Sequence, residues 1–235
     1  MYREKKPISF LTAHDYISGV LADRAEVDAV LVGDSLAMVC LGYSTFDSAV
    51  KMMKRGKADA VKIEGGKELV PSIKKLTTMG IPVLGHIGLT PQRQSSLGGF
   101  KVQGKTADSA LSILEDAFAL QEAGCFAMVL EAVPDRVGEL VTQRLSVPTI
   151  GIGAGPGTSG QVLVQLDMLG GFDSFVPKFL KRYANYLDDN VRAITQYRDE
   201  VKSHQFPQKE HCYTIKDQEF EKFQETVNQL YPVNN

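Results

Sequence analysis

The sequence predicts an α/β fold, a (β/α)8 barrel of parallel strands with a C-terminal helical extension, and three observations predict it. Short β-branched or apolar runs alternate with amphipathic stretches at a period of roughly 20–30 residues, the spacing of right-handed βαβ units on a parallel sheet. Polar residues fall at or near the end of one strand after another: Asp15, Asp34-Ser35, Lys62 and Glu64, His86, Glu131, and the turn Gly153-Ala154-Gly155. Barrel enzymes gather their chemistry from several strand ends around one centre, whereas an open doubly wound sheet concentrates it at one switch point. The length of 235 residues also suits a single barrel.

Taken in order, strands are expected at residues 8–12, 29–33, 60–64, 83–87, 127–131, 149–152 and, as a short last one, 174–176. That makes seven where a full barrel has eight. Between them, residues 108–123 carry Ala110, Leu111, Leu114, Ala117, Phe118 and Ala119 at three- and four-residue steps, a helical stripe. Residues 88–107 form a long loop after the strand holding His86, and loops of that length often bind ligands. The barrel is expected over residues 1–181. From 182 the chain reads as a long charged helix followed by a polar tail, 205–235, packed on the barrel.

Composition closes several other doors. With 26 Lys and Arg against 28 Asp and Glu, there is no electrostatic footprint for nucleic acid or an anionic membrane, though one placed lysine suffices for an anionic substrate. The uncharged stretch 145–166 is broken by glycines and two prolines, so it reads as strand and turn rather than a membrane span. Cys40, Cys125 and Cys212 are odd in number and lack metal-ligand spacing, which argues for a reducing compartment. The charged N-terminus runs straight into a strand and leaves no room for a signal peptide, so an intracellular site, cytoplasmic or mitochondrial, is expected.

The candidate chemistry lies at the strand ends. Asp34-Ser35 after the second strand reads either as a helix cap or as an oxygen donor to a divalent cation. In Val61-Lys62-Ile63-Glu64 alternate side chains share a face, so Lys62 and Glu64 point together toward the barrel axis if the apolar pair faces the helices. They form either a structural ion pair or a substrate cation beside a metal-binding carboxylate. Glu131 ends the apolar run Ala127-Met128-Val129-Leu130, a placement suited to a general base or merely to a helix N-terminus before Pro134. His86 is either a substrate donor or a satisfied core histidine. The run Gly151-Ile152-Gly153-Ala154-Gly155 suits a phosphate turn and tight packing equally.

Eight motifs then occur in order: VGDSL (32–36), VKIEGG (61–66), GHIGLTPQ (85–92), GGFKVQGK (98–105), VLEAVP (129–134), PTIGIGAG (148–155), GQVLV (160–164) and PKF (177–179). Together, from about residue 8 to residue 211, they resemble the ketopantoate hydroxymethyltransferases, the extended tail resembling fungal members. The resemblance implies a Mg²⁺-dependent barrel enzyme of pantothenate and coenzyme A biosynthesis. Its substrates would be 3-methyl-2-oxobutanoate and 5,10-methylenetetrahydrofolate. It further implies Asp34 and Glu64 as Mg²⁺ ligands, Asp34, Ser35 and Lys62 on the keto acid, His86 near it, Glu131 as the base, and a homo-oligomer. An enzymatic rival is a phosphoenolpyruvate mutase or isocitrate lyase relative; a rival of another class is a catalytically dead, binding-only paralogue.

One departure stands out against that family. After Leu41-Gly42-Tyr43 the family continues through a helix, a strand and a motif whose Asp is the third metal ligand. Here Tyr43 runs directly into Ser44-Thr45-Phe46 and the helix expected at 47–56. The stretch not present amounts to a βα unit of roughly 30 residues or more, which accounts for seven strands rather than eight.

Overall fold

The structure is a computed structural model that describes residues 2–32, 53, 58–91, 101–173 and 176–232. Among these, seven strands are present: β1 (Ile8–Ala13), β2 (Ala29–Val32), β3 (Val61–Glu64), β4 (Val83–Gly88), β5 (Ala127–Glu131), β6 (Thr149–Ile152) and β7 (Gly160–Leu163). They form one curled, parallel sheet in the order β2-β1-β7-β6-β5-β4-β3. The first strand pairs with the last, Ile8 opposite Gly160, and every other neighbour is consecutive in the chain. A doubly wound sheet reverses its order at a switch point. This order does not reverse; among the described residues it is a barrel's cyclic order with β2 and β3 at its two ends.

The two faces of the sheet carry different residues because strand side chains alternate. Val61, Ile63, Val83, Ile87, Met128 and Leu130 point outward and bury against helices. Those helices are α2 (Val70–Thr78), α3 (Ala107–Glu122) and α4 (Asp135–Arg144), which supply Ile73 and Leu76, Ile113, Ala117 and Leu120, and Val141. The α3 trio is spaced four and three residues apart, the signature of one buried helical face. On the inner face Leu84, Ala127, Val129, Ile150, Ile152 and Val162 form a second, smaller cluster.

Local signals explain where helices start. The first helix, α1 (Tyr16–Arg24), begins at Asp15, whose carboxylate accepts from Ser18 N at 2.7 Å. Asp15 is thus a cap rather than a strand-end functional group. Thr106 and Ser109 cap α3 reciprocally. A short helix, α5 (Gln165–Met168), follows β7.

Among the described residues the last strand is Gly160–Leu163, which the sequence reading did not mark as a strand; of the strand expected at 174–176, residues 174 and 175 lie outside the described residues and Val176 belongs to no strand. Gly160 packs so closely on β1 that a Cβ there would lie 2.3 Å from the Ile8 carbonyl oxygen. The chain divides into two compact units, Met1–Asn185 and Tyr186–Asn235. The second contains α6 (Tyr186–Lys202) and also α7 (Asp217–Leu230), so the expected polar tail carries a helix of its own. Asp217 and Glu219 in the first turn of α7 complement its dipole. Among the described residues no helix is long and apolar enough to cross a membrane.

Candidate active site

Alternation along β3 does what the sequence implies. Val61 and Ile63 are buried on the helix side, and Lys62 and Glu64 face inward. The parallel register then sets Glu64 opposite His86 of β4, and Gly88 opposite Glu131 of β5. Four polar side chains from three adjacent strands therefore converge on the inner face. The Lys62, Glu64 and His86 side chains are only 7%, 6% and 4% exposed, and that of Glu131 is 14% exposed. Charges this deeply placed persist only in mutual contact.

The contacts form a chain. Lys62 Nζ donates to Glu64 Oε1 at 2.8 Å and lies 3.1 Å from His86 Nδ1. The same Glu64 oxygen is 3.4 Å from His86 Nδ1, and His86 Nε2 is 3.0 Å from Glu131 Oε2. Two proton arrangements satisfy these distances: a neutral ring accepting from Lys62, or a doubly protonated ring. Burial disfavours the charged ring, but the Glu131 and Glu64 carboxylates outweigh it and raise the His86 pKa above its usual 6.5. Either arrangement leaves a proton on Nε2, facing Glu131. That N–H points off the line to the oxygen, so the contact is a close approach of ring and carboxylate rather than an aligned hydrogen bond. Burial alone would raise the Glu64 pKa; the hydrogen bond with His86 and the charge of Lys62 reverse this and lower it to about 2. Glu64 is therefore ionised across the physiological range.

The end of β5 is held by its neighbours. Leu89 N donates to the Glu131 carbonyl at 2.8 Å, Ala132 N to Ile152 O at 2.8 Å, and Gln103 N to Ala132 O at 2.9 Å. Ala132 is left-handed at φ 49°, a conformation that costs a non-glycine residue energy and turns the chain sharply just past the carboxylate. Part of the long loop after β4 is thus stitched beside Glu131. The glycine-rich run after β6 is a packing turn. Gly153 lies against Phe179, and Gly155 against Asp135.

The structure brings together four of the six residues singled out in the sequence: Lys62, Glu64, His86 and Glu131. Asp34 and Ser35 lie outside the described residues, as does Cys40. Among the described residues, no group of three or more His, Cys, Asp or Glu is arranged to hold a metal ion. A cavity beside Glu131 was not anticipated. Its wall includes Lys101, Asp167, Lys178 and Phe179, of which the last two lie in the PKF motif noted without a role.

Comparison with known proteins follows the same lines. The family model for ketopantoate hydroxymethyltransferase matches the chain in two segments, residues 1–46 and 43–209. The chain belongs to the ketopantoate hydroxymethyltransferase family. It is accordingly an enzyme of the transferase class. A relative named 3-methyl-2-oxobutanoate hydroxymethyltransferase, from Emericella nidulans, is 48% identical over 98% of this chain and 78% of its own length. Another of that name, from Oleidesulfovibrio alaskensis, is 43% identical over 96% of this chain and 92% of its own. Among solved structures, 2,3-dimethylmalate lyase, a PEP mutase/isocitrate lyase superfamily member, aligns over 98% of this chain and 92% of its own. The TM-score is 0.44 and the identity 15%.

The break in the ketopantoate hydroxymethyltransferase match falls at residues 43–46, where the βα unit was missed in the sequence. The Emericella alignment runs over 273 positions, more than the 235 residues of this chain, so that relative carries residues with no counterpart here. Among the described residues, β2 and β3, which flank residues 43–46 in the chain, are the two ends of the sheet.

Proposed function

We propose that the chain transfers a hydroxymethyl group from 5,10-methylenetetrahydrofolate to 3-methyl-2-oxobutanoate, giving ketopantoate. The observation that carries this reading is the buried chain Lys62–Glu64–His86–Glu131 at the strand ends of a ketopantoate hydroxymethyltransferase family member. Glu131 takes the C3 proton of the keto acid. C3 then bonds to the donor's methylene carbon, both bonds from that carbon to nitrogen break, and water supplies the hydroxyl. The two donor nitrogens end with one proton from water and one from C3. His86, with Nε2 3.0 Å from Glu131 Oε2, holds the base in place, and Lys62 supplies a cation for the substrate carboxylate.

Glu64 fits a hard divalent cation: it is a buried, ionised oxygen donor. Together with Asp34 it would hold Mg²⁺, which when bound draws charge toward the keto acid's oxygens and acidifies C3. Removal of the C3 proton and orientation of the keto acid fall to side chains of this chain.

A second reading, a paralogue that binds without turning over, draws on the break at residues 43–46. Incubating the chain with both substrates and Mg²⁺ and assaying ketopantoate separates the two. Turnover is expected, and it should rise when a relative's βα unit is restored between Tyr43 and Ser44. No product from either form would overturn the transferase reading for this chain.

A further inference from the structure

Glu64 ends β3, and the chain leaves it through Gly65 and Gly66 into a single turn of 3-10 helix, Lys67–Leu69, which leads into α2. The first N–H groups of a helix need acceptors from outside it. Gly66, which precedes this turn, has no side chain to offer one. The acceptor comes from α3 instead: Lys67 N donates to Asp116 Oδ1 at 3.0 Å. Beside it, Lys67 Nζ lies 2.6 Å from Glu115 Oε2, an ion pair about half exposed on both sides.

The helix period puts Asp116 where this bond needs it. It follows Ile113 by three residues and precedes Leu120 by four, so it flanks the stripe that packs on the sheet. Its carboxylate packs against Gly66: a Cβ there would fall 2.6 Å from Asp116 Oδ2 and nearer still to Cγ and Oδ1. Gly65 has φ 139°, which side-chain-bearing residues rarely adopt. Both glycines of the VKIEGG motif are therefore needed to bring the turn under Asp116. Among the described residues β3 is one end of the sheet, laddered to β4 alone. That ladder reaches one residue past the strand, where Gly65 N donates to His86 O at 2.9 Å. Gly66 N donates to Glu68 Oε1 at 3.2 Å, a bond within the turn itself. The bond from Lys67 N to Asp116 ties the turn to the helix layer.

We propose that Asp116 is a positioning residue for the reaction: by holding Lys67 N it fixes the two-glycine turn, and with it the direction of Glu64 and of Lys62 on the same face of β3. The inference rests on the hydroxymethyltransferase reading above and adds a residue that acts from the outer helix layer, through backbone. Small displacements of a positioned group are costly to chemistry, a shift of about 1 Å being worth up to roughly 10²-fold in rate.

The test compares Asp116→Ala, Asp116→Asn and Glu115→Ala with the wild-type chain. Binding of Mn²⁺ alone is read from the free-ion EPR signal, and the keto acid half from donor-free exchange of its C3 proton with D₂O. Asp116→Ala should weaken Mn²⁺ severalfold, raise the KM for 3-methyl-2-oxobutanoate and lower the exchange kcat by about tenfold or more. Asp116→Asn keeps an Oδ1 acceptor for Lys67 N, so it should stay within about threefold of wild type. Glu115→Ala loses only an exposed ion pair and should stay within about twofold. The KM for 5,10-methylenetetrahydrofolate should move by less than about twofold in all three. A merely structural role would lower Tm and the yield of folded protein, yet leave Mn²⁺ affinity and the keto acid KM of the folded fraction at wild-type values; that result overturns the proposal. So does an Asp116→Asn variant as defective as Asp116→Ala, because the acceptor oxygen would then not be what matters. If the wild type neither exchanges nor turns over, the functional reading fails. Amide hydrogen–deuterium exchange over residues 61–69 then decides the anchor: faster exchange in Asp116→Ala than in wild type supports it, and equal exchange overturns it.

Discussion

At Glu64 a single carboxylate carries two burdens, since its Oε1 is the acceptor for Lys62 and the near neighbour of His86. Its ionised form is favoured in the fold, with a pKa lowered from 4.5 to about 2. A depressed carboxyl contributes stability above its unfolded pKa and loses it as pH falls through the folded value. In metal-free protein, unfolding free energy should therefore drop between pH 4.5 and about 2, and Glu64→Gln should flatten that drop. Parallel pH curves for the two proteins would contradict this role. His86 acts with the opposite sign: its contribution is full below pH 6.5 and lost as pH rises through its raised folded value. The sequence disclosed that Lys62 and Glu64 share a face, because two charges in an alternating strand can only be on one side. It could not disclose that His86 bridges two carboxylates, because that depends on register between strands 24 and 45 positions along the chain from Lys62 and His86.

The elements differ in how plainly their residues announce them. The helix α3 was legible because its apolar residues recur at helical spacing; the reciprocal cap of Thr106 and Ser109 that starts it was not read from the sequence. The strand β5 was legible as four apolar residues ending in one carboxylate. In contrast, β7 is four residues long and opens on a glycine inside a glycine-rich stretch, so it gives neither alternation nor a clean apolar run. What makes Gly160 necessary is tertiary: β1 approaches until a Cβ would be 2.3 Å from Ile8 O and 2.9 Å from Ile8 Cβ. Gly160→Ala should thus disturb the pairing of first and last strands and cost about 1–3 kcal/mol, the usual price of overpacking. Urea denaturation measures it, and a midpoint equal to wild type would show that the contact relaxes freely.

For the molecule as a whole, the strand order among the described residues is that of a barrel with a seam between β2 and β3, and the break in the family match at residues 43–46, where the sequence lacks the expected βα unit, falls in the same interval. That unit was legible only through the resemblance; spacing within the chain gave no sign of it beyond a strand count of seven. Val30 and Val32 of β2, beside the seam, are 43% and 56% exposed, the kind of apolar edge that natural sheets cover. Whether the remaining strand ends still act together is the central question, and one measurement addresses it most directly. With Mg²⁺ and no folate in D₂O, 3-methyl-2-oxobutanoate should exchange its C3 proton with solvent, because base and acidifying groups are both supplied without the donor. Glu131→Gln keeps the shape but removes the basic charge, so exchange should fall by roughly 10²-fold or more. Wild-type exchange at the uncatalysed rate, or a Glu131→Gln variant that exchanges as fast as wild type, would contradict the account.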